Sequence, residues 1–153
     1  MAKNDLKGKT VGWIGTGRMG YAMAERLLKA GAELSAWNRT KSKAEPLAEL
    51  GATIVDSPAE LADRDMVFTM VAGPADFVEV TKGENGVLSQ GGQTPGLLVD
   101  CTTISEEASH EVREFATRVG TSMLDAPVSG NAKVVKAGKL SIVASGAKDA
   151  YDE

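Results

Sequence analysis

The chain has one cysteine, one histidine, five prolines and only 5% aromatic residues among its 153. With Cys101 alone, no internal disulfide can form, which fits a reducing compartment and makes the cytoplasm the expected location. One cysteine and one histidine fall short of the usual ligand sets of a transition-metal centre, so no metal is expected. No apolar run approaches the ~20 residues that a membrane-spanning helix needs. The opening Met1-Ala-Lys-Asn-Asp-Leu-Lys7 has no apolar core, so no secretory leader is expected there. Net charge is −4, and the basic residues are scattered among acids. Such a surface lacks the basic face of a nucleic-acid binder, and neither nucleic acid nor membrane is expected as a partner. The remainder, 42% hydrophobic and 25% charged, is the composition of an ordinary globular protein. The length suits one domain, residues 1–153.

Glycine, by contrast, is plentiful at 17 residues, and its spacing is most telling in Val11-Gly-Trp-Ile-Gly15-Thr-Gly17-Arg-Met-Gly20. An apolar strand runs here into a G-x-G-x-x-G turn, and a helix follows at once. Gly15 permits the tight turn, Gly17 lets a pyrophosphate approach the backbone, and Gly20 lets the helix pack close to the strand. The free N–H groups and the dipole at the start of that helix favour the negative charge of phosphates. The order strand, glycine turn, helix points to dinucleotide binding. The competing reading is a glycine-rich turn without function.

Strand-like and helix-like patterns then alternate. Thr10–Ile14 reads as a strand; Met19, Ala22, Met23, Leu27 and Ala30 repeat at helical spacing, and Gly31 ends that helix. Strands are expected at Leu34–Trp37, Thr53–Val55, Met66–Val71, Leu97–Val99, Ser122–Leu124 and Leu140–Ala144. Helices are expected over Lys41–Leu50, from Ser57-Pro58, around Pro74–Thr81, and from Ser105 to Gly120. This rhythm predicts an α/β fold, a doubly wound and mostly parallel sheet with helices on both faces.

The end of the second strand bears on the choice of dinucleotide. A carboxylate there selects NAD by binding the adenosine ribose. The chain instead has Asn38-Arg39-Thr40, beginning 23 positions after Gly15. Arg39 can pair with a 2′-phosphate or lie against adenine, and Thr40 can add a hydroxyl. NADP is therefore expected over NAD, with NAD possible. The competing reading is a solvated turn that caps the next helix.

Several phrases converge on one family. Ile14-Gly-Thr-Gly-Arg-Met-Gly20, Asn38-Arg-Thr40, Ser57-Pro-Ala-Glu60, Asp100-Cys-Thr-Thr-Ile-Ser105 and Asp125-Ala-Pro-Val-Ser-Gly130 stand in the order of β-hydroxyacid dehydrogenases. The chain resembles the amino-terminal, Rossmann-type half of the 3-hydroxyisobutyrate dehydrogenase and glyoxylate/succinic semialdehyde reductase group. The resemblance implies that Gly15, Thr16, Gly17, Arg18, Met19 and Gly20 cradle the pyrophosphate, and that Asn38, Arg39 and Thr40 hold the adenosine side. Val71 and Ala72 match a Leu-Pro pair along the cofactor, a departure that leaves them a backbone role. Thr103 matches a hydroxyl residue near the nicotinamide ribose. Ser129 and Gly130 match a turn that grips the carboxylate of a small substrate. Asn131 stands where a second glycine is usual; its tolerance of left-handed backbone angles can preserve the turn, and its amide can contact substrate.

The implied reaction moves a hydride between nicotinamide and a short β-hydroxy acid or its carbonyl partner, with a lysine as general acid and base. In the family that lysine lies in a G-x-x-G-x-G-x-x-x-K-x-x-x-N stretch opening a helical second domain, which these 153 residues do not contain. Lys133, Lys136, Lys139 and Lys148 read as surface charges, His110 as a solvated side chain, and Cys101 as a buried or pocket-lining thiol. Tyr21 is followed by Glu25, not by the lysine of a Tyr-x-x-x-Lys pair. No catalytic residue is assigned, and the chain alone is expected to be inactive. A full-length relative is expected to be a homo-oligomer. Two alternatives remain open: a non-catalytic NADP-binding sensor or adaptor, and a related imine or F420-type reductase.

Overall fold

A computed structural model describes residues 6–153; residues 1–5, and with them most of the segment read for a leader, lie outside the described residues. The chain runs through β1 (Thr10–Ile14), α1 (Arg18–Lys29), β2 (Glu33–Trp37), β3 (Thr53–Ile54), β4 (Met66–Thr69) and α2 (Pro74–Lys82). It continues with β5 (Leu97–Asp100), α3 (Glu106–Val119), β6 (Ser122–Asp125), β7 (Val128–Ser129), α4 (Ala132–Lys136), β8 (Ser141–Ile142), β9 (Ser145–Gly146) and α5 (Lys148–Asp152). The main sheet has seven strands in the order β3-β2-β1-β4-β5-β6-β9. All pairings are parallel except β9, which runs antiparallel to β6. The first six strands form the doubly wound order whose direction reverses between β1 and β4, where the diverging loops leave a crevice for ligands.

Both faces of the sheet are covered, so the central strands are apolar on both sides. Val11, Trp13, Leu34, Met66, Leu97 and Val99 pack with Ala22 and Met23 of α1 and Val135 of α4. Trp13 also stacks on Phe68, ring centroids 5.5 Å apart. On the other face Ile14, Val67 and Leu98 pack with Phe77 and Val80 of α2 and Val112 and Ala116 of α3. The helix ends follow local chemistry. Ser105 caps α3 by accepting from the Ala108 N–H (3.3 Å), and Gly120 ends it at φ +87°.

Three segments depart from the sequence-based expectation. Residues 41–50 form two 3₁₀ turns, Lys41–Lys43 and Glu45–Leu50, instead of one α-helix. Pro46 has no N–H and clashes with the carbonyl four residues back, so the bonds run to the third residue, as from the Leu47 N–H to the Ala44 carbonyl (2.9 Å). Ser57-Pro58 does start a turn, closed by the Glu60 carboxylate on the Ser57 N–H (2.8 Å), but only one 3₁₀ turn, Pro58–Leu61, forms. In place of the single strand expected over 140–144 stand two short ones: β8, within it, pairs with β7 in a separate ribbon, and β9, just beyond it, joins β6. The approach to β6 falls at Gly146, where a Cβ would lie 2.7 Å from Leu124 Cδ2. Only glycine meets β6 that closely, and the pairing shifts along the chain to reach it.

Candidate functional site

The carboxyl ends of β1, β2 and β4, with the starts of α1 and α2, enclose an open groove of about 450 Å³. Its floor is the glycine turn. Gly15 has φ +101°, and a Cβ there would lie 2.1 Å from the Met70 carbonyl oxygen. A Cβ on Gly20 would lie 1.9 Å from the Gly15 carbonyl oxygen, so the first turn of α1 rests directly on the loop. Gly17 is different: no atom lies within 4 Å of where its Cβ would be. Its missing side chain serves no internal packing and keeps the groove open beside the backbone. The first bond inside α1 is from the Tyr21 N–H to the Gly17 carbonyl (2.8 Å). The N–H groups of Arg18, Met19 and Gly20 precede that bond and suit an anion.

The turn is fixed from beneath and from the side. Trp13 Nε1 donates to the Gly15 carbonyl (2.8 Å), and the Gly15 N–H donates to the Trp37 carbonyl (2.9 Å). The Thr16 N–H donates to Asn38 Oδ1 (2.8 Å), and Asn38 Nδ2 donates to the Thr40 carbonyl (2.9 Å). The Asn38 carboxamide thus staples the glycine turn to the end of β2. Thr16 is buried with its hydroxyl unpartnered. Arg39 and Thr40 are exposed at the groove's edge, and Arg39 Nη1 lies 3.0 Å from Asp76 Oδ1 on α2.

Val71 and Ala72 form the wall after β4. The Val71 N–H donates to Thr102 Oγ1 (3.0 Å), tying this wall to the end of β5. Below it Asp100 is buried, and its Oδ1 accepts from Thr69 Oγ1 (2.7 Å) and the Thr102 N–H (3.0 Å). Its Oδ2 has no partner. Burial pushes the Asp100 carboxyl up to about 6, against the pull of the Thr69 and Thr102 hydrogen bonds and with a smaller upward push from Asp125. Burial likewise pushes the Cys101 thiol up to about 12, the Asp100 charge adding to it.

The groove therefore brings together Gly15, Gly17, Arg18, Met19 and Gly20 with Asn38, Arg39, Thr40, Val71 and Ala72. Thr103 is exposed just past β5, one strand farther along the same sheet edge. Ser129, Gly130 and Asn131 follow β6, two strands from β4. The turn there is not preserved by a left-handed asparagine. Gly130 takes φ +146°, while Asn131 is extended at φ −140° and caps α4 through Oδ1 on the Val134 N–H (3.0 Å). Asp125, at the head of this segment, is held by Arg113 and accepts from Ser109 Oγ (2.8 Å). Sequence reasoning missed Trp37, Lys43, Met70, Asp76, Glu79 and Val80, which also line the groove. Lys43 was within reach of the sequence, three residues beyond Thr40. Asp76 was not, since its arrival depends on α2, a separate element, standing within reach of the end of β2.

The remaining candidates lie elsewhere. Lys133, Lys136, Lys139 and His110 are exposed, and Lys148 pairs with Asp152. Among the described residues no group of three or more acidic, histidine or cysteine side chains is arranged to hold a metal, and no helix is long and apolar enough to cross a membrane.

Comparison with known proteins agrees with this geometry. The description "NAD binding domain of 6-phosphogluconate dehydrogenase" matches residues 10–153. Among curated proteins, the probable 3-hydroxyisobutyrate dehydrogenase-like 1, mitochondrial, of Arabidopsis thaliana is 42% identical over 89% of this chain and 41% of its own length. Glyoxylate/succinic semialdehyde reductase 2, chloroplastic, of the same plant is 36% identical over 99% of this chain and 42% of its own. The solved 3-hydroxyisobutyrate dehydrogenase of Mycobacterium tuberculosis with L-serine superimposes with a TM-score of 0.85 at 29% identity, over 94% of this chain and 48% of that one. The chain thus spans about half the length of these relatives.

Proposed function

Since the chain belongs to the family of the NAD binding domain of 6-phosphogluconate dehydrogenase, we propose that its groove holds NADP in preference to NAD for hydride transfer to or from a small carboxylate substrate. That substrate is a short β-hydroxy acid or its aldehyde or keto partner. The observation that carries the reading is the open cradle at Gly17 beside a β2 end that offers Arg39 and Thr40 and no carboxylate.

When bound, the nicotinamide supplies or accepts hydride at its C4; the chain's own residues bind and orient. The N–H groups of Arg18, Met19 and Gly20 take the pyrophosphate, with Gly15, Thr16 and Gly17 shaping the approach. Arg39, Thr40 and the neighbouring Lys43 take the 2′-phosphate, and Asn38 holds the loop that presents them. The backbone of Val71 and Ala72 guides the cofactor toward Thr103, which faces the nicotinamide ribose. Past β6, the Ser129 hydroxyl, the Gly130 N–H and Asn131 receive the substrate carboxylate. None of these donors titrates near neutral pH, so the grip does not depend on a shared proton.

No group among these residues is placed to move a proton at the substrate oxygen. That role is proposed for a lysine in a further helical domain of a longer protein, and the 153-residue chain is read as its cofactor half. The exposed Ile142, Val143 and Tyr151, beside an apolar hollow of about 460 Å³ between α1 and α5, support such a second part. The longer protein is proposed to act as a homo-oligomer. Its setting is a reducing compartment such as the cytoplasm, which suits the buried free Cys101.

Titration with NADPH and NADH tests the reading. Arg39→Ala is expected to weaken NADPH about ten- to a hundredfold, the worth of a charge-assisted contact, and NADH less than about threefold. Equal affinity of the unmutated protein for both would refute the NADP preference. Binding of neither would refute the reading of the groove.

A further inference from the structure

Arg39 does not stand free at the groove's edge. Its guanidinium lies 3.0 Å from the Asp76 carboxylate, 37 residues on in sequence. Asp76 belongs to the first turn of α2, so the pair reaches from the end of β2 to the helix that follows β4. Both residues line the groove. Asp76 is the better fixed of the two, its side chain 35% exposed against 78% for Arg39. Its place in the first turn of a helix also favours its negative charge. One helical turn on, Glu79 adds a second carboxylate to the same wall. The groove thus sets two carboxylates, Asp76 and Glu79, among its lining beside the cations Arg39 and Lys43, and at Arg39 it is not the unopposed positive site that a dianionic phosphate meets best.

We propose that Asp76 is a specificity-determining residue that holds down the preference for a 2′-phosphorylated dinucleotide. The inference rests on the reading that this end of the groove receives the adenosine ribose. NAD brings a neutral 2′-hydroxyl and leaves the Arg39–Asp76 pair intact. NADP brings a dianion that must share or displace the pair, and it meets the Asp76 charge across a few ångströms. The carboxylate that dinucleotide sites often carry at the end of β2 is supplied here from the opposite wall, where it acts on the arginine.

The test is the ratio of NAD+ to NADP+ dissociation constants, measured by calorimetry at fixed ionic strength on the unmutated protein, Asp76→Asn and Asp76→Glu. Asp76→Asn removes the charge and keeps the shape. It is expected to tighten NADP+ about fivefold, the effect of one nearby unit charge in a solvated site, and to change NAD+ less than twofold. The retained NAD+ affinity also reports that the variant groove is folded. Asp76→Glu keeps the charge and is expected to leave the ratio within twofold. If both cofactors bind and Asp76→Asn leaves the ratio unchanged or lowers it, this inference fails alone. It fails also if Asp76→Glu raises the ratio as much as Asp76→Asn does. A protein that binds neither cofactor removes the reading of the groove and this inference with it.

Discussion

Asp100 makes the stability of the fold depend on pH in a calculable direction. Its carboxyl is raised from 3.8 to about 6, chiefly because the folded chain removes it from water. Between those values the folded state holds a proton that the unfolded chain has released. The stabilisation is therefore complete below about pH 4 and is lost as pH rises through about 6. At 1.36 kcal/mol per unit, the loss is about 3 kcal/mol. Asp100→Asn removes the titration. Its side-chain oxygen keeps the Thr69 and Thr102 donors, while its amide nitrogen replaces the unpartnered Oδ2 and leaves a buried donor unmet. That defect costs about 1–3 kcal/mol at every pH. The variant is expected to be the weaker protein near pH 4.5 and to equal or exceed the unmutated one at pH 7.5. Urea unfolding of both across that range measures the difference. Asp65, whose carboxyl is lowered by hydrogen bonds from Thr10, contributes an opposite slope at acid pH in both proteins and cancels. A difference that stays constant within about 0.5 kcal/mol would show that Asp100 does not titrate as its burial requires.

The demands on the last two glycines of the turn are separable. Gly17→Ala, at φ −65° with open space around it, is expected to leave urea stability within about 0.5 kcal/mol and to weaken dinucleotide binding at least tenfold. Gly20→Ala drives a methyl into the Gly15 carbonyl and is expected to lower stability by more than about 2 kcal/mol. Equal stability of the two variants would contradict this assignment. Cys101 is buried with its thiol pushed up to about 12, so iodoacetamide at pH 8 is expected to leave the folded protein unmodified and to label it in urea. Rapid labelling without denaturant, read by intact mass, would count against the packing around β5.

Much of the architecture was legible because the strands are short apolar runs, several of them preceded by a glycine, and because Ser57 and Ser105 announce the turns they cap. Pro46 was visible too, but its effect on 41–50 needed the burial pattern. Only Ala44 and Leu47 reach the core there, too narrow a stripe to impose an α-helix. The shortening of the strand at 140–144 and the new pairing beyond it were illegible because they are decided by Gly146 meeting another strand. The candidate site shows the same division. Gly15, Gly17, Gly20 and Arg39 are local signals, and the groove collects them. The Asn38 carboxamide reads in sequence as a ligand contact; its bonds to Thr16 and Thr40 depend on how β1 and β2 stand side by side. Asp76 enters from a separate element and leaves no trace near Arg39 in the sequence.

The two tryptophans, Trp13 and Trp37, sit at unequal depths around one loop. Trp37 is part of the groove wall and holds the Asp56 carbonyl through its indole nitrogen (3.2 Å). Trp13 is sealed under the loop, its indole nitrogen committed to Gly15. The molecule thus carries a pair of native fluorophores with divided duties. Light emitted from Trp37 senses what fills the cleft, while Trp13 senses whether the floor beneath it is intact. Substituting either one by phenylalanine would separate an optical signal of occupancy from one of unfolding, without any attached dye.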